Sequence, residues 1–171
     1  MRTSNSVTAF VRKCTGPDAG WEALFEALAA DADTASRLVI EVDEGALVAA
    51  EPVRAFANMP RQLGCRLAIS HCGLQFGAQV CAGLVDPDII KINPRLLWRG
   101  AIRAREASRL ADTMALAQDT AASVIVDGVE SAAQLAVVAD SGAVWAQSPW
   151  LTATALPFDG ATARQRPAQY A

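Results

Sequence analysis

This 171-residue chain lacks the sequence features that identify secreted, membrane-spanning or nucleic-acid-binding proteins. Residues 1–7 are polar and contain no apolar segment of signal-peptide length, and no stretch approaches the roughly 18 apolar residues of a membrane span. We therefore expect a cytoplasmic protein without a membrane partner. Basic residues are not in excess, because 15 Lys and Arg stand against 18 Asp and Glu. A net charge of −3 does not supply the broad basic surface that nucleic acid requires, so no nucleic-acid partner is expected.

Cysteine pairs of the C-x-x-C type are also absent. The four cysteines are Cys14, Cys65, Cys72 and Cys81. Without a secretion signal they are expected to be reduced thiols, three of them buried as small hydrophobic residues. A zinc site built from His71, Cys72, Cys81 and Cys65 is an alternative, although this spacing matches no usual zinc pattern.

What the chain has instead is an alternation of short apolar runs with longer amphipathic segments. Hydrophobic residues make up 52% of it, which predicts one domain with a sizeable core. Nearly continuous apolar runs of strand length are typical of parallel strands buried on both faces. The predicted strands are Val7–Val11, Leu38–Val42, Arg66–Ser70, Asp88–Ile92, Ser123–Val126 and Ala143–Ala146.

The segments between the strands carry apolar residues at helical spacing. Repeated strand–helix units predict a parallel sheet or barrel. Pro60 is expected to kink the second helix. The domain is predicted to span residues 1–171, with a core over 7–158 and an irregular tail over 159–171. The predicted helices are Trp21–Ala30, a helix opening at Glu51-Pro52 and stopping at Gly64, Ala104–Ala117, and Glu130–Asp140.

Polar motifs follow the predicted strands in a fixed order. They are Glu41-Val42-Asp43-Glu44, Ser70-His71-Cys72-Gly73, Lys91-Ile92-Asn93, Asp127-Gly128-Val129-Glu130 and Gln147-Ser148-Pro149. In order and spacing, from about Val7 to Phe158, the chain resembles the EAL family of cyclic-di-GMP phosphodiesterases. The resemblance implies a TIM-type barrel that hydrolyses the dinucleotide with two Mg or Mn ions. Because such a barrel typically needs roughly 250 residues, we expect an α/β fold, an incomplete TIM-like (β/α) barrel with about six parallel strands.

The resemblance also implies a role for individual positions. Glu41 matches the family's metal-binding glutamate, and Glu44 matches the glutamate that steadies a neighbouring loop. Lys91 matches the lysine that helps to position the attacking water. The family-equivalent catalytic positions are Glu41, Lys91, Asp127 and Glu130. If a ligand is bound, the expected contacts are Glu41, His71, Lys91, Glu130 and Gln147.

Other positions depart from the family pattern. Ser70 and His71 stand where the family has the two aspartates of "DDFG", and Asn93 replaces the aspartate of "K-I-D". By distance along the chain, Phe10 falls on the metal-binding asparagine. No residues remain upstream for the signature strand. The two Glu-Ala-Leu tripeptides, at residues 22–24 and 26–28, fit a surface helix better.

These departures remove ligands for metal. Two divalent cations need carboxylates to offset their charge, and hard Mg or Mn ions prefer oxygen ligands. At Phe10, Ser70 and His71 no negative charge is available, so we expect no bound metal and no cofactor, although active family members use Mg or Mn. Catalysis is accordingly not expected. Lys91 is predicted to form a buried ion pair with Glu41 or Asp127.

Some side chains keep two interpretations. His71 could act as a general base, but a polar residue bonded to Asp127, Glu41 or water is favoured. Trp98, Trp145 and Trp150 could stack on nucleobases, but core or barrel-rim positions are favoured. A cluster of four arginines could form a local basic patch, but a solvated helix face is favoured. These arginines are Arg95, Arg99, Arg103 and Arg105.

Three functions remain open on these grounds. The first is an inactive regulatory module that acts through a protein partner or a homodimer, joined where the first barrel strands are missing. The second is a receptor that binds cyclic-di-GMP without cleaving it. The third is residual phosphodiesterase activity that uses His71.

Overall fold

The computed structural model describes residues 7–11, 19–49, 51–73 and 75–154. Strands and helices alternate along them. The strands are β1 (Val7–Val11), β2 (Leu38–Asp43), β3 (Arg66–Cys72), β4 (Ile89–Ile92), β5 (Ser123–Asp127) and β6 (Trp145–Gln147). The helices are α1 (Ala19–Ala30), α2 (Ala32–Arg37), α3 (Glu44–Ala49), α4 (Glu51–Gln62), α5 (Ala78–Leu84), α6 (Pro94–Gly100), α7 (Ala104–Gln118), α8 (Ala132–Asp140) and α9 (Pro149–Thr154).

The strands form one six-stranded sheet in the order β1-β2-β3-β4-β5-β6. Every neighbouring pair is parallel, and each new strand is added on the same side, as in a (β/α) barrel. This confirms the predicted incomplete TIM-like barrel with about six parallel strands. Within the described residues, β1 and β6 each pair with one strand and form the two edges of the sheet.

The two faces of the sheet carry different residues because side chains alternate along a strand. The outer face packs against the helices in the main core, to which Ile40, Leu67 and Ile90 belong. The inner face begins with a small apolar cluster: Val39, Ala68, Ile89, Ile125 and, packed against it, Trp145. Two residues further along each of these strands comes a polar residue on the same face. We call this set the inner-face tier: Glu41, Ser70, Lys91, Asp127 and Gln147.

Several predicted boundaries differ from those observed. Residues 130 and 131 lie outside α8, which begins at Ala132 because the Ser131 hydroxyl caps it by accepting the Gln134 N–H at 3.2 Å. Pro60 lies within α4, which continues to Gln62. The sequence pattern does not predict the short helices α2, α3, α5 and α9, and it indicates α6 only as the helix face that carries Arg95 and Arg99. The tail predicted over 159–171 lies outside the described residues.

The helices of the described segments are all too short or too polar to cross a membrane.

Candidate functional site

A buried ion pair occupies the inner-face tier. The Lys91 ammonium donates to a Glu41 carboxylate oxygen at 2.5 Å, and the two residues are 6% and 3% exposed. β2 and β4 each lie beside β3, so the pair spans that strand. The predicted pairing of Lys91 with Glu41 or Asp127 is thus confirmed for Glu41, whose charge is offset by the ammonium.

Two oxygens of the same tier lack a hydrogen-bond partner. The Ser70 hydroxyl and the Gln147 side-chain carbonyl are both buried and unpaired within the described structure. A buried polar atom without a partner costs free energy, so each can gain from a ligand that reaches it. Asp127 is different, because one of its carboxylate oxygens accepts the Gly128 N–H at 2.8 Å. Glu130 is exposed and lies beyond this tier.

His71 is turned out of the tier by an irregularity in β3. The pairing register with β4 shifts between Ile69 and Cys72, and His71 has a φ of 58°, in the left-handed region. Its Nδ1 lies 2.8 Å from a carboxylate oxygen of Asp43. Of the predicted partners, Asp127, Glu41 or water, the two carboxylates are wrong, because the bulge directs the imidazole toward Asp43 at the end of β2.

Glu44 fastens the loop that follows β3. This buried carboxylate, 1% exposed, accepts the backbone N–H groups of Gly73 at 3.0 Å and Gly77 at 2.8 Å through the same oxygen. The two glycines flank the segment that leads to α5, and both have positive φ. The geometry therefore matches the loop-steadying role that the resemblance implied for Glu44.

Two buried thiols lie beside Glu44. In the described chain, Glu44, Cys72 and Cys81 bring potential ligand atoms within 4.8 Å of one another. Hydrogen bonding with Cys81 and burial raise the pKa of the Cys72 thiol well above its ordinary range, and burial raises the pKa of Cys65. Cys65, Cys72 and Cys81 are buried, as predicted. The zinc set proposed from sequence does not assemble, because His71 and Cys65 are not in this group.

Phe10 lies on β1, which pairs with β2, the first strand that contributes to the inner-face tier. Phe10 is paired in register with Glu41, which places it at the level where the resemblance located a metal-binding asparagine. Its side chain lies outside the described part of the structure. Among the tryptophans, Trp98 is 38% exposed, and its indole N–H donates to the Gly128 carbonyl at 3.2 Å, which places it on the rim as favoured from sequence.

Comparisons with known proteins agree with this architecture. A family model of the EAL domain matches residues 11–148. A search of curated protein sequences finds no match. Among solved structures, a calcium and c-di-GMP complex of Klebsiella pneumoniae BlrP1 is 22% identical, with a TM-score of 0.72, and the match covers 86% of this chain and 38% of that one.

Two further similar structures also contain c-di-GMP. The FimX EAL domain from Pseudomonas aeruginosa is 22% identical with a TM-score of 0.74, and the match covers 85% of this chain and 61% of that one. Vibrio cholerae LapD, as its S helix-GGDEF-EAL part, is 16% identical with a TM-score of 0.72, and the match covers 82% and 35%. The chain thus spans less than two thirds of each structure, and at these identities the likeness shows the shared fold.

The expectation that no cofactor is involved is wrong. BlrP1 structures are complexes of c-di-GMP with calcium or with manganese, so metal use is a feature of the family.

The residues of the inner-face tier nevertheless do not fit a pair of divalent cations. The tier holds two carboxylates, Glu41 and Asp127, and the Lys91 ammonium offsets one of them. Two divalent ions would therefore remain largely uncompensated. Among the described residues, neither carboxylate belongs to a cluster of three potential ligands of the His, Cys, Asp or Glu type.

Proposed function

Because this chain belongs to the EAL domain family, we propose that it acts in cyclic-di-GMP signalling as a regulatory module that does not hydrolyse the dinucleotide. The observation that carries the proposal is the buried ion pair between Lys91 and Glu41. The Lys91 ammonium offsets the charge of Glu41, and Ser70 on the strand between them brings no charge. The inner-face tier therefore offers little more than the charge of Asp127 to two divalent ions. The cytoplasmic location and the single domain over residues 1–171 remain predictions.

We expect that adding two carboxylates will not create a phosphodiesterase. In Ser70→Asp/His71→Asp, the carboxylate introduced at position 70 would lie on the inner face near Lys91 and compete with Glu41 for its ammonium. Phe10 would still stand beside Glu41, at the position of the metal-binding asparagine, and phenylalanine supplies no ligand. Turnover of cyclic-di-GMP should stay at the background rate with Mg²⁺, Mn²⁺ or Ca²⁺, as followed by chromatography of the nucleotide.

A lack of turnover is informative only if the doubly substituted protein is folded. Circular dichroism and the urea midpoint should show that the doubly substituted protein is folded before turnover is measured. Metal-dependent cleavage by the folded variant would contradict the account, because it would mean that the remaining residues complete a two-metal site.

A receptor for cyclic-di-GMP is the second candidate function. The unpaired oxygens of Ser70 and Gln147 favour it, because buried groups without partners are available to a ligand. In calorimetry with and without Mn²⁺, a receptor would bind the dinucleotide and leave it intact. Ser70→Ala/Gln147→Leu should then weaken binding about tenfold, whereas Ser36→Ala, at an exposed site on α2, should not. Absence of saturable binding in both conditions would reject this candidate.

The edge strand β1 supports regulation through a homodimer, in which a second copy of the chain would pair with it. Within the described residues, β1 pairs only with β2, and an edge strand offers N–H and C=O groups to another chain. We expect a two-fold dimer, the commonest closed assembly, burying at least about 1,000 Å². Val7→Lys/Val11→Lys should raise its dissociation constant by about tenfold or more in sedimentation experiments.

The control for the dimer is a lysine placed elsewhere. Ile102 is 81% exposed, so Ile102→Lys should leave association unchanged. Sedimentation of the unmodified chain as a monomer at high concentration would reject the homodimer.

A further inference from the structure

Glu44 is a second buried carboxylate, and its surroundings differ from those of Glu41. Glu41 has the Lys91 ammonium at 2.5 Å. For Glu44, which is 1% exposed, no Lys, Arg or His of the described residues lies within salt-bridge distance. Arg95 and Arg99, which border the same cavity of about 450 Å³ as Glu44, are exposed and lie beyond that distance. Because a buried charge is costly without a counter-charge, a cation in direct contact with this carboxylate would be stabilised there.

Two buried thiols lie close to this carboxylate. Cys72 ends β3 and Cys81 lies on α5, and neither side chain is exposed. The potential ligand atoms of Glu44, Cys72 and Cys81 all lie within 4.8 Å of one another. Bonds from zinc to such ligands are about 2.0–2.3 Å long, so two ligand atoms of one ion are at most about 4.6 Å apart. Small rotations of the side chains are therefore enough to bring the three groups onto a single ion.

Backbone hydrogen bonds hold these groups in position. One oxygen of Glu44 accepts the N–H groups of Gly73 at 3.0 Å and Gly77 at 2.8 Å. These two amides orient the carboxylate and do not use its second oxygen, which is left for a ligand. The carbonyl of Cys72 accepts the Asn93 N–H at 3.0 Å and so fixes the end of β3. Supporting hydrogen bonds of this kind are typical of metal sites, because they orient the ligands before the ion binds.

The donor atoms select the kind of ion. Thiolates suit Zn²⁺ and Cu⁺, whereas Mg²⁺, Ca²⁺ and Mn²⁺ prefer oxygen ligands. Each thiol gives up its proton to solvent when its sulfur binds a metal. A divalent ion that displaces two protons leaves the net charge of the buried group unchanged, whereas Cu⁺ would make that charge more negative. The balance of charge therefore favours Zn²⁺.

We propose that Glu44, Cys72 and Cys81 bind one Zn²⁺ ion through a carboxylate oxygen and two thiolate sulfurs. Three protein ligands leave one position of a tetrahedral ion for water, and the cavity beside Glu44 gives the ion a route of entry. The ion would join the start of α3, the end of β3 and α5. The three ligands lie outside the inner-face tier, so cleavage of cyclic-di-GMP by this chain would refute the proposed function without affecting this site.

The test is titration of the full chain, stripped of metal, with Zn²⁺ in competition with a chromogenic chelator. The unmodified protein should bind one equivalent, and Cys81→Ala should weaken binding about 100-fold or more. The matched control is Cys65→Ala, which removes a buried thiol outside the group and should change affinity less than about twofold. An excess of Mg²⁺ should not displace the bound Zn²⁺.

Glu44→Gln tests the charge of the carboxylate separately from its support of the loop. The amide oxygen of glutamine can still accept the N–H groups of Gly73 and Gly77, but the residue no longer offers a negative charge to the ion. Binding of Zn²⁺ should therefore weaken about tenfold or more.

Co²⁺ gives a readout that needs no variant. Thiolates bound to Co²⁺ produce a charge-transfer absorption in the near ultraviolet, which should appear with one equivalent of Co²⁺ and disappear when Zn²⁺ is added. The proposal is overturned if the folded, unmodified protein shows no such absorption or binds less than one equivalent of Zn²⁺. It is also overturned if Cys81→Ala weakens binding no more than Cys65→Ala does.

Discussion

Lys91→Met is expected to destabilise the folded protein by about 3–5 kcal/mol, the cost of leaving a buried charge without its partner. Methionine has nearly the length of lysine, so the loss of packing is small. Glu41 is 3% exposed, and after the substitution its carboxylate would have to be accommodated without the ammonium 2.5 Å away. Urea unfolding followed by circular dichroism gives the change in the free energy of unfolding.

The control is the double variant Glu41→Leu/Lys91→Met. Replacing a buried ion pair by apolar residues of similar size is often close to neutral, so this variant should be much more stable than Lys91→Met alone. A free energy of unfolding of Lys91→Met within about 1 kcal/mol of that of the unmodified protein would contradict this expectation. It would show that the buried Glu41 carboxylate does not depend on Lys91, and the main argument against a metal role for Glu41 would fail.

Gly128→Ala is expected to lower the free energy of unfolding by more than about 3 kcal/mol, because it combines backbone strain with a steric clash. Gly128 has a φ of +77°, and a Cβ built on it would lie 2.5 Å from Pro94 Cβ. Its N–H donates to Asp127 and to the Gln147 carbonyl, so it links the ends of β5 and β6. The free energy of unfolding measures the effect.

Gly142→Ala provides a matched comparison. Gly142 has nearly the same φ, +79°, but nothing lies within 4 Å of the added Cβ. Gly142→Ala should therefore lower the free energy of unfolding only by the strain of a left-handed alanine, about 1–2 kcal/mol. Equal losses in the two variants would show that close packing of Pro94 on Gly128 does not constrain this end of the sheet.

The strands of the fold could be predicted closely from the sequence. The predicted bounds of β1 are those observed, and β2 and β5 each extend one residue further than predicted. Nearly continuous apolar runs identify strands that are covered on both faces. Short helices such as α2 and α3, six residues each, could not be predicted, because fewer than two turns are too short to show a helical period.

The site could be predicted only where a contact follows from the sheet. The pairing of Lys91 with Glu41 follows from two charged residues on the inner face of the parallel strands that flank β3. The partner of His71 could not be predicted, because it depends on a shift in register and a left-handed residue in β3. For Arg95 and Arg99 the solvated helix face favoured from the sequence is observed, because both are exposed on α6. That α6 also borders a cavity could not be predicted, because this depends on how the helix packs at the ends of the strands.

The most direct test of the account is cyclic-di-GMP turnover by the unmodified chain at high protein concentration with Mn²⁺. Chromatography after prolonged incubation should recover the dinucleotide intact, because Glu41 is paired with Lys91 and the tier lacks the charge to hold two metal ions. Product that accumulates in proportion to protein, requires the metal and disappears in Glu41→Gln would contradict the account.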